Sequence, residues 1–394
     1  MHNTSLVPDT YTVLDAETST FNKGHRFDPR NKLISYAYKR SFSDSCRFLY
    51  HTDPDFQERP DESYGTLVGF NFKFDCHWLY PNGLVNKVWD CQLAEHIYTG
   101  QRGQFISLNE CLEKYGLETK LDLVKEYWDN GVDTADIPVN ILKEYNEWDV
   151  IQTEKLFLVQ QELLSDAQKN LVYLLGEDLK CLAAIERDGL LFDSDRASKY
   201  LVESKAGVVS IEEQLCKYLP EIQHGVFNWD SGDHLSCFLY GGTLEFDYAT
   251  SSEAVYKSGP KKGEPYIKNS WHVERVVFNK RFEPLEGTET KKTKDKADVL
   301  TRFYQTDAPT LASLKGKKED KLVLGLLSKR SETQKVVEML ESLFKQFNDK
   351  HWENNLIHGT FNQNVAITGR LSSSAPNMQN QPPEVEQFFI SRYN

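Results

Sequence analysis

The chain has 394 residues, 39% of them apolar and 12% aromatic, so it can form two or three domains with buried cores, and wholesale disorder is excluded. The formal net charge of −13 argues against an anionic partner for the chain taken as a whole. The charge is uneven, because residues 251–330 hold 18 Lys and Arg against 11 Asp and Glu, a balance of +7 that leaves −20 for the rest. This basic segment is compatible with nucleic-acid binding.

The seven cysteines include no CxxC pair and no His/Cys spacing typical of a zinc site. We interpret them as reduced thiols. The N-terminus shows no basic segment followed by an apolar one, and no apolar run approaches the roughly 20 residues that span a bilayer. These features predict a soluble, cytoplasmic protein without membrane contact.

The first predicted strand, TYTVLDA, leads into two acids, Asp15 and Glu17. Residues two apart on a strand point to the same face, so both carboxylates are aimed at one point. Carboxylate oxygens suit Mg²⁺ or Mn²⁺, and a cation between the acids would relieve their repulsion. The pair taken alone also fits the wet face of a surface strand, so a metal site requires further ligands.

Further strands are predicted at LISYAYKR and CRFLY, and a helix is predicted from FKFDCHWLY, where Asn71 and Asp75 are four apart and share a face. Three segments of helical periodicity follow, namely VWDCQLAEHIYTG, SLNECLEKYGL and LDLVKEYWDN. Pro138 then predicts the start of a longer helix that carries Tyr145 and Asp149, again four apart. Taken alone, Tyr145 is more typical of a packed helix aromatic.

The segments LDAET, GFNFKFD and YNEWD, in this order, resemble the three exonuclease motifs of the DnaQ-like 3′ to 5′ exonuclease superfamily in its tyrosine-containing form. That superfamily includes the proofreading domain of family A DNA polymerases and ribonuclease D. The resemblance covers roughly residues 8–165. It implies, for residues 1–165, an α/β exonuclease domain of the ribonuclease H-like class, with a mixed sheet flanked by helices.

The resemblance also implies a catalytic set and a substrate contact. Four acids would hold two divalent metal ions, Mg²⁺ or Mn²⁺, as hydrolysis of a phosphodiester by two metals requires: Asp15, Glu17, Asp75 and Asp149. Tyr145 would orient the attacking water. Asn71 and Phe21 match positions that contact the 3′-terminal nucleotide, although family members more often have an aliphatic residue in place of Phe21. Three nearby acids gain no role and are interpreted as solvated or capping residues: Asp90, Asp122 and Glu147.

A helix is predicted to end at Gly189 before the short strand LLFD, which resembles the entry to the polymerase region of family A enzymes. By that resemblance, residues 166–355 form a mainly α thumb region with a lysine-rich insertion at about 251–321. For much of residues 259–297 a solvated loop is an equal alternative. Asp230 and Ser231 are candidate caps of a further helix. A long amphipathic helix follows, with three residues that match a family region along the primer-template duplex: Lys329, Arg330 and Lys335.

The segment TGRLSSSAPNMQN closely matches the family A pattern T-G-R-L-S-S followed by P-N-x-Q-N, and implies the start of a polymerase palm at residues 356–394. Arg370 matches an arginine that reaches the minor groove near the primer terminus, where contact is insensitive to sequence. Three residues match polar contacts to the duplex: Asn377, Gln379 and Asn380. The serines at 372–374 could instead form a turn that bonds local backbone.

Beyond this segment the sequence departs from the family, since it reads EQFFISRYN where relatives continue into D-x-S-x-x-E, the nucleotide-binding fingers and a His-Asp-Glu turn. We therefore expect an incomplete palm that lacks the polymerase carboxylates. The chain is interpreted as the N-terminal part of a phage-like family A DNA polymerase for DNA replication, with a complete proofreading exonuclease. Polymerase activity would need a second polypeptide that supplies the remaining palm and fingers. For a phage protein, the location would be the host cytoplasm.

Two alternatives stay open. One is a stand-alone 3′ to 5′ exonuclease that acts on DNA or RNA, with a degenerate binding module. The other is a non-catalytic subunit that binds primer-template, which the intact acidic set disfavours. The expected partners are primer-template DNA, single-stranded 3′ ends and the second polypeptide.

Overall fold

The structure is a computed structural model that describes residues 10–60, 65–102, 106–119, 124–294 and 299–392. Asp122, residues 295–298 of the lysine-rich insertion and both chain ends lie outside the described residues. The chain divides into two compact units, residues 1–197 with 339–394, and residues 198–338. The three predicted domains have different limits and remain a prediction.

A five-stranded mixed sheet, in the order β3-β2-β1-β4-β5, forms the centre of the first unit. Its strands are β1 (Tyr11–Thr18), β2 (Leu33–Arg40), β3 (Arg47–Tyr50), β4 (Thr66–Gly69) and β5 (Val88–Asp90). β1 pairs antiparallel with β2 and parallel with β4, so it has a neighbour on each side. Its apolar residues Val13 and Leu14 are buried, whereas Asp15 and Glu17 are half-buried. The predicted strands are confirmed.

Five helices accompany this sheet: α1 (Phe72–Leu79), α2 (Cys91–Tyr98), α3 (Leu108–Lys114), α4 (Lys125–Asp129) and α5 (Val139–Leu163). Pro138 is the N-cap of α5, which confirms the predicted helix start. α5 packs on β1 and β2, and α1 packs on β1. The helical prediction was wrong for Val88–Asp90, which form β5. Val88 and Trp89 are buried beside β4, and periodicity does not distinguish so short an apolar run from a helix.

The chain continues through α6 (Asp166–Asp188), β6 (Leu190–Phe192) and α7 (Ser194–Cys216). α6 begins with a capping box formed by Ser165 and Gln168. It ends at Gly189, whose φ of 63° lies in the left-handed region that favours glycine. The predicted end of this helix is therefore confirmed. α6 packs on α1, α2 and β5, within the first unit.

The next elements are α8 (Gly232–Tyr240), β7 (Gly242–Val255), β8 (Pro265–Phe278), β9 (Glu289–Lys294), β10 (Leu300–Tyr304), α9 (Ala308–Ser313) and α10 (Lys318–Asp349). Ser231 caps α8, since its Oγ accepts the N–H of His234. The solvated-loop alternative for residues 259–297 is wrong for most of those that the structure describes, because they lie in β8 and β9, which belong to two antiparallel hairpins, β7–β8 and β9–β10. Helices still account for more of residues 166–355 than strands do, and the two hairpins are an addition to the expected helical region. The hairpin β7–β8 forms because alternate residues, such as Phe246 and Phe278, enter the core of the second unit.

The C-terminal part returns to the first unit with β11 (Leu356–Ile357), β12 (Thr360–Asn362), β13 (Ser372–Ser374), α11 (Pro383–Glu386) and β14 (Phe389–Ile390). β6 lies between β11 and β14, and β12 pairs with β13. The turn interpretation of Ser372–Ser374 is thus wrong, because these serines form a strand. Their local bonding is confirmed at Ser373, whose Oγ accepts the N–H of Met378 at 3.0 Å. All seven cysteines are free, and none of the described helices has the length and apolarity to cross a membrane.

Candidate active site

Three carboxylates from two elements meet at the end of β1. Asp15 and Glu17 project from the same face of this strand, as their spacing predicts. Asp149 is contributed by α5, which packs on β1. One oxygen from each of the three carboxylates lies within 4.8 Å of the other two. The strand pair and the helix acid, more than 130 residues apart in sequence, therefore form a single acidic cluster.

Asp75 adjoins this cluster from α1. Its side chain is only 2% exposed, and one oxygen accepts the backbone N–H of Ala16 at 2.9 Å. Burial and then the charge of Asp15 raise the pKa of Asp75 well above its usual range. Asp75 lies outside the group of three whose oxygens are within 4.8 Å, but it is close enough to interact electrostatically with Asp15 and Glu17.

The residues present fit a hard divalent cation. Every donor in the cluster is a carboxylate oxygen, the ligand type that Mg²⁺ and Mn²⁺ prefer. The acids repel one another, which adds to the effect of burial in raising the pKa of Asp75, and a cation between them would reverse the sign of that interaction. The cluster is therefore suited to metal binding in both ligand chemistry and electrostatics.

Tyr145 lies on α5, one turn before Asp149, and is half-buried. Its ring packs edge-on against Trp128, with 5.8 Å between the centroids. The packing that the alternative interpretation expected is thus present. Tyr145 nevertheless lies on the same helix as Asp149, one of the three clustered acids.

Asn71 differs from the prediction in its backbone. Sharing a helix face with Asp75 would require a helical backbone, but Asn71 is the N-cap of α1, in the left-handed region with φ 56°. Asp90 explains this geometry, because its carboxylate accepts the N–H groups of Asn71 and Phe72 at 3.1 and 2.9 Å and also caps α2. Of the two interpretations of Asp90, a solvated acid or a capping acid, the structure shows the capping acid. The side chain of Asn71 remains exposed.

Phe21 is 43% exposed and begins a short 3-10 turn after β1. The guanidinium carbon of Arg30 lies 4.7 Å from the centroid of its ring. The preceding residue, Thr20, donates its backbone N–H and its hydroxyl to Asp133. The loop that presents Phe21 is therefore anchored while the ring itself faces solvent.

Asn146 belongs to the site, and sequence reasoning missed it. Its Nδ2 donates to Oδ2 of Asp15 at 2.6 Å, and its side chain is 0% exposed. The signal was an amide between Leu142 and Val150, two apolar residues on the same face of α5. A polar residue at a buried helical position needs specific hydrogen bonds.

The three predicted duplex contacts on α10 divide into two kinds. Lys329 and Lys335 are exposed. Arg330 is only 7% exposed, and its guanidinium forms ion pairs of 2.7 Å with Glu212 and with Asp230. The structure therefore contradicts the expectation that Arg330 is available to DNA. Adjacent residues on a helix point in directions about 100° apart, so Lys329 and Arg330 need not both face a duplex.

The C-terminal residues with predicted duplex roles are exposed: Arg370, Asn377, Gln379 and Asn380. Arg370 precedes β13, and the other three follow it. Asn377 orders this segment locally, since its Oδ1 accepts the N–H of Gln379 at 3.0 Å. Their side chains are thus displayed on the surface of the first unit.

Comparison with known families gives a match for the C-terminal third of the chain. The model of DNA polymerase family A matches residues 263–392. This range contains α10, the strands β11 to β14 and the exposed residues just described.

Individual relatives agree with this match. DNA polymerase I of Mycobacterium leprae is 41% identical over 101 residues, which are 26% of this chain and 10% of that protein. DNA polymerase I of Synechocystis is 26% identical over 321 residues, 79% of this chain and 26% of the relative. DNA polymerase I of Aquifex aeolicus is 22% identical over 334 residues, 80% of this chain and 46% of the relative. The chain thus spans between a tenth and just under half of the length of these relatives.

The fold agrees as well. The polymerase domain of Pol1 from M. smegmatis, solved in complex with DNA primer-template and dNTP, superimposes with a TM-score of 0.63 at 17% sequence identity. The match covers 97% of this chain and 55% of that one. The α/β fold is therefore confirmed, and residues 263–392 are similar in sequence to family A DNA polymerases.

Proposed function

We propose that the chain carries a metal-dependent 3′ to 5′ exonuclease that proofreads for a family A DNA polymerase. The observation that carries the proposal is the cluster of Asp15, Glu17 and Asp149, with the buried Asp75 beside it. These four acids are the ones that the three motifs predict.

The four acids are proposed to hold two divalent ions, Mg²⁺ or Mn²⁺. When bound, such ions lower the pKa of a bound water and stabilise the leaving oxygen of a phosphodiester. Tyr145 is proposed to orient the attacking water through its hydroxyl.

Asn71 and Phe21 are proposed to contact the 3′-terminal nucleotide. The exposed amide of Asn71 can hydrogen-bond the nucleotide, and the exposed ring of Phe21 offers a face for base stacking. Stacking is insensitive to base identity, which suits an activity that removes any terminal nucleotide.

Lys329 and Lys335 of α10 are proposed to contact primer-template duplex. The C-terminal segment that contains Arg370 is proposed, by itself, as a second duplex contact. Four exposed polar or charged residues in that segment support this assignment: Arg370, Asn377, Gln379 and Asn380. The M. smegmatis neighbour was solved with DNA primer-template, which also supports it. Arg330 is left out because it is buried in ion pairs. Nucleotide incorporation is proposed to need further polypeptide, on the same or on a second chain, since these 394 residues lack the D-x-S-x-x-E pattern.

A 5′-labelled single-stranded DNA incubated with the protein and Mg²⁺ tests the nuclease. We expect stepwise shortening from the 3′ end, which the double variant Asp15→Ala, Glu17→Ala abolishes. Asp149→Ala should lower the rate by at least about 100-fold, because it removes one of the clustered ligands. Glu147→Ala, two residues away on α5 and outside the cluster, is the matched control and should retain activity.

Undiminished degradation by the double variant would show that the nuclease site lies elsewhere. Equal losses in Asp149→Ala and Glu147→Ala would indicate a folding defect, which thermal unfolding of both variants resolves. In the same assay with primer-template and dNTPs, no primer extension is expected from these 394 residues alone.

A further inference from the structure

Asn146 occupies a position where an apolar residue is expected. It lies between Leu142 and Val150 on one face of α5, and all three residues are 0% exposed. Asparagine is a weaker helix former than leucine, and burying its amide costs free energy unless both ends are hydrogen-bonded. A purely structural helix face would therefore favour an apolar side chain here.

Both ends of the Asn146 amide are used. Nδ2 donates to Oδ2 of Asp15 at 2.6 Å and to the backbone oxygen of Asp15 at 3.2 Å. Oδ1 accepts the hydroxyl of Ser35 at 3.4 Å. Ser35 pairs with Glu17 across β1 and β2, so this amide reaches both strands next to the two acids.

We propose that Asn146 is a positioning residue of the metal site. The proposal rests on the proposed function, because it takes the clustered acids to be metal ligands. A donor on one carboxylate oxygen fixes the orientation of the Asp15 carboxylate and leaves its other oxygen for a cation. Asp149 follows Asn146 by three residues on the same helix, so the same contact sets the distance between the strand acids and the helix acid.

Gln160 provides a matched control on the same helix. It is also 0% exposed, accepts a hydrogen bond from Nε1 of Trp89 at 3.1 Å and donates to the oxygen of Cys91 at 2.9 Å. Neither of these two partners belongs to the acidic cluster. Replacing Gln160 by leucine removes a buried, doubly bonded amide from α5 and leaves the contact with Asp15 in place.

The experiment is a calorimetric titration of the full chain with Mn²⁺ in the absence of DNA. Four proteins are compared: wild type, Asn146→Leu, Gln160→Leu and Asp15→Asn. We expect Mn²⁺ binding to weaken by at least about 10-fold in Asn146→Leu, as for other residues that orient a metal ligand. Gln160→Leu should lose thermal stability but bind Mn²⁺ like the wild type. The Mn²⁺ concentration that half-saturates DNA cleavage should rise in Asn146→Leu by the same factor as the binding constant.

Unchanged Mn²⁺ binding in Asn146→Leu overturns the proposal. So does an equal weakening in Asn146→Leu and Gln160→Leu, since that assigns Asn146 a structural role alone. If circular dichroism shows that Asn146→Leu is unfolded, Asn146→Ala takes its place under the same criteria. Failure of the proposed function is distinguishable, because the wild type would then bind no Mn²⁺, or would bind it unchanged in Asp15→Asn. That result overturns both proposals.

Discussion

Lys329 and Arg330 are neighbours on α10 with opposite environments. The ammonium of Lys329 is in solvent, whereas the guanidinium of Arg330 lies between Glu212 and Asp230. The planar fork of arginine can donate to two carboxylates at once, which a lysine at the same place does with less geometric control. Arg330 therefore forms ion pairs inside the second unit, whereas Lys329 presents its charge to solvent.

Replacing Arg330 by methionine is expected to lower the free energy of unfolding by about 1 to 3 kcal/mol. The loss stays below that of a fully buried pair because the Asp230 side chain is 57% exposed and regains water. Lys329→Met, the control, should change the free energy of unfolding by less than about 0.5 kcal/mol. Urea unfolding of both variants measures this, and a larger loss in Lys329→Met would contradict it.

His25 is held uncharged in the first unit. Burial and then the charge of Lys350, whose Nζ lies 3.4 Å from its Nε2, lower the pKa of His25 from 6.5 to about 3. Two further histidines act in the same direction, and one acid opposes them: His77, His358 and Glu186. Between pH 6.5 and about 3 the unfolded chain binds a proton at His25 that the folded chain does not.

The free energy of unfolding is therefore expected to fall as the pH drops below 6.5, with His25 contributing about 2 kcal/mol of loss by pH 5. His25→Asn should remove that part of the pH dependence. Unfolding in urea at pH 7, 6 and 5 compares the wild type with His25→Asn. The control is His51→Asn, which changes an exposed histidine. Identical pH profiles for the wild type and His25→Asn would show that His25 is not held neutral.

At the scale of elements, α6 approaches the sheet closely at one glycine. A Cβ on Gly176 would lie 2.4 Å from the backbone oxygen of Val88 in β5. A backbone atom cannot rotate away as a side chain can, so any larger residue forces the helix and the sheet apart. On α10, by contrast, a Cβ on Gly325 would meet nothing within 4 Å.

Gly176→Ala is accordingly expected to lower the free energy of unfolding by about 1 to 3 kcal/mol, despite the better helix propensity of alanine. Gly325→Ala should raise it by about 0.5 to 1 kcal/mol, since only propensity changes. Thermal unfolding of the two variants gives the comparison. If both substitutions change the free energy of unfolding in the same direction, contact with β5 does not restrict the size of the residue at position 176.

At the scale of the whole molecule, the net charge of −13 opposes DNA, so the proposed binding of primer-template would depend on local positive charge. Replacing both Lys329 and Lys335 by glutamine should weaken binding to primer-template duplex and reduce the slope of log K against log salt by about 2. Fluorescence anisotropy measures this, in an Asp15→Asn background that prevents degradation. The control is Lys143→Gln with Lys155→Gln, which removes equal charge from α5, and an equal fall in slope there would contradict the assignment to α10.

The sequence by itself determined the features that depend on neighbours along the chain. Asp15 and Glu17 share a face because the strand repeat is two residues, Pro138 starts α5, and Gly189 ends α6. The basic composition of residues 251–330 was also apparent, but it did not reveal their hairpins. A hairpin depends on pairing between strands, such as Phe246 opposite Glu274, and composition contains no information on pairing.

Only the tertiary structure decided which of these residues meet. The distance from Asp149 to Asp15 and Glu17, the burial of Arg330 and the contact of Asn146 with Asp15 all depend on residues that are distant in sequence. Such contacts form when helices pack on strands, and packing is set by the complementary shape and polarity of both surfaces. A pattern read along one chain segment contains only one of those two surfaces.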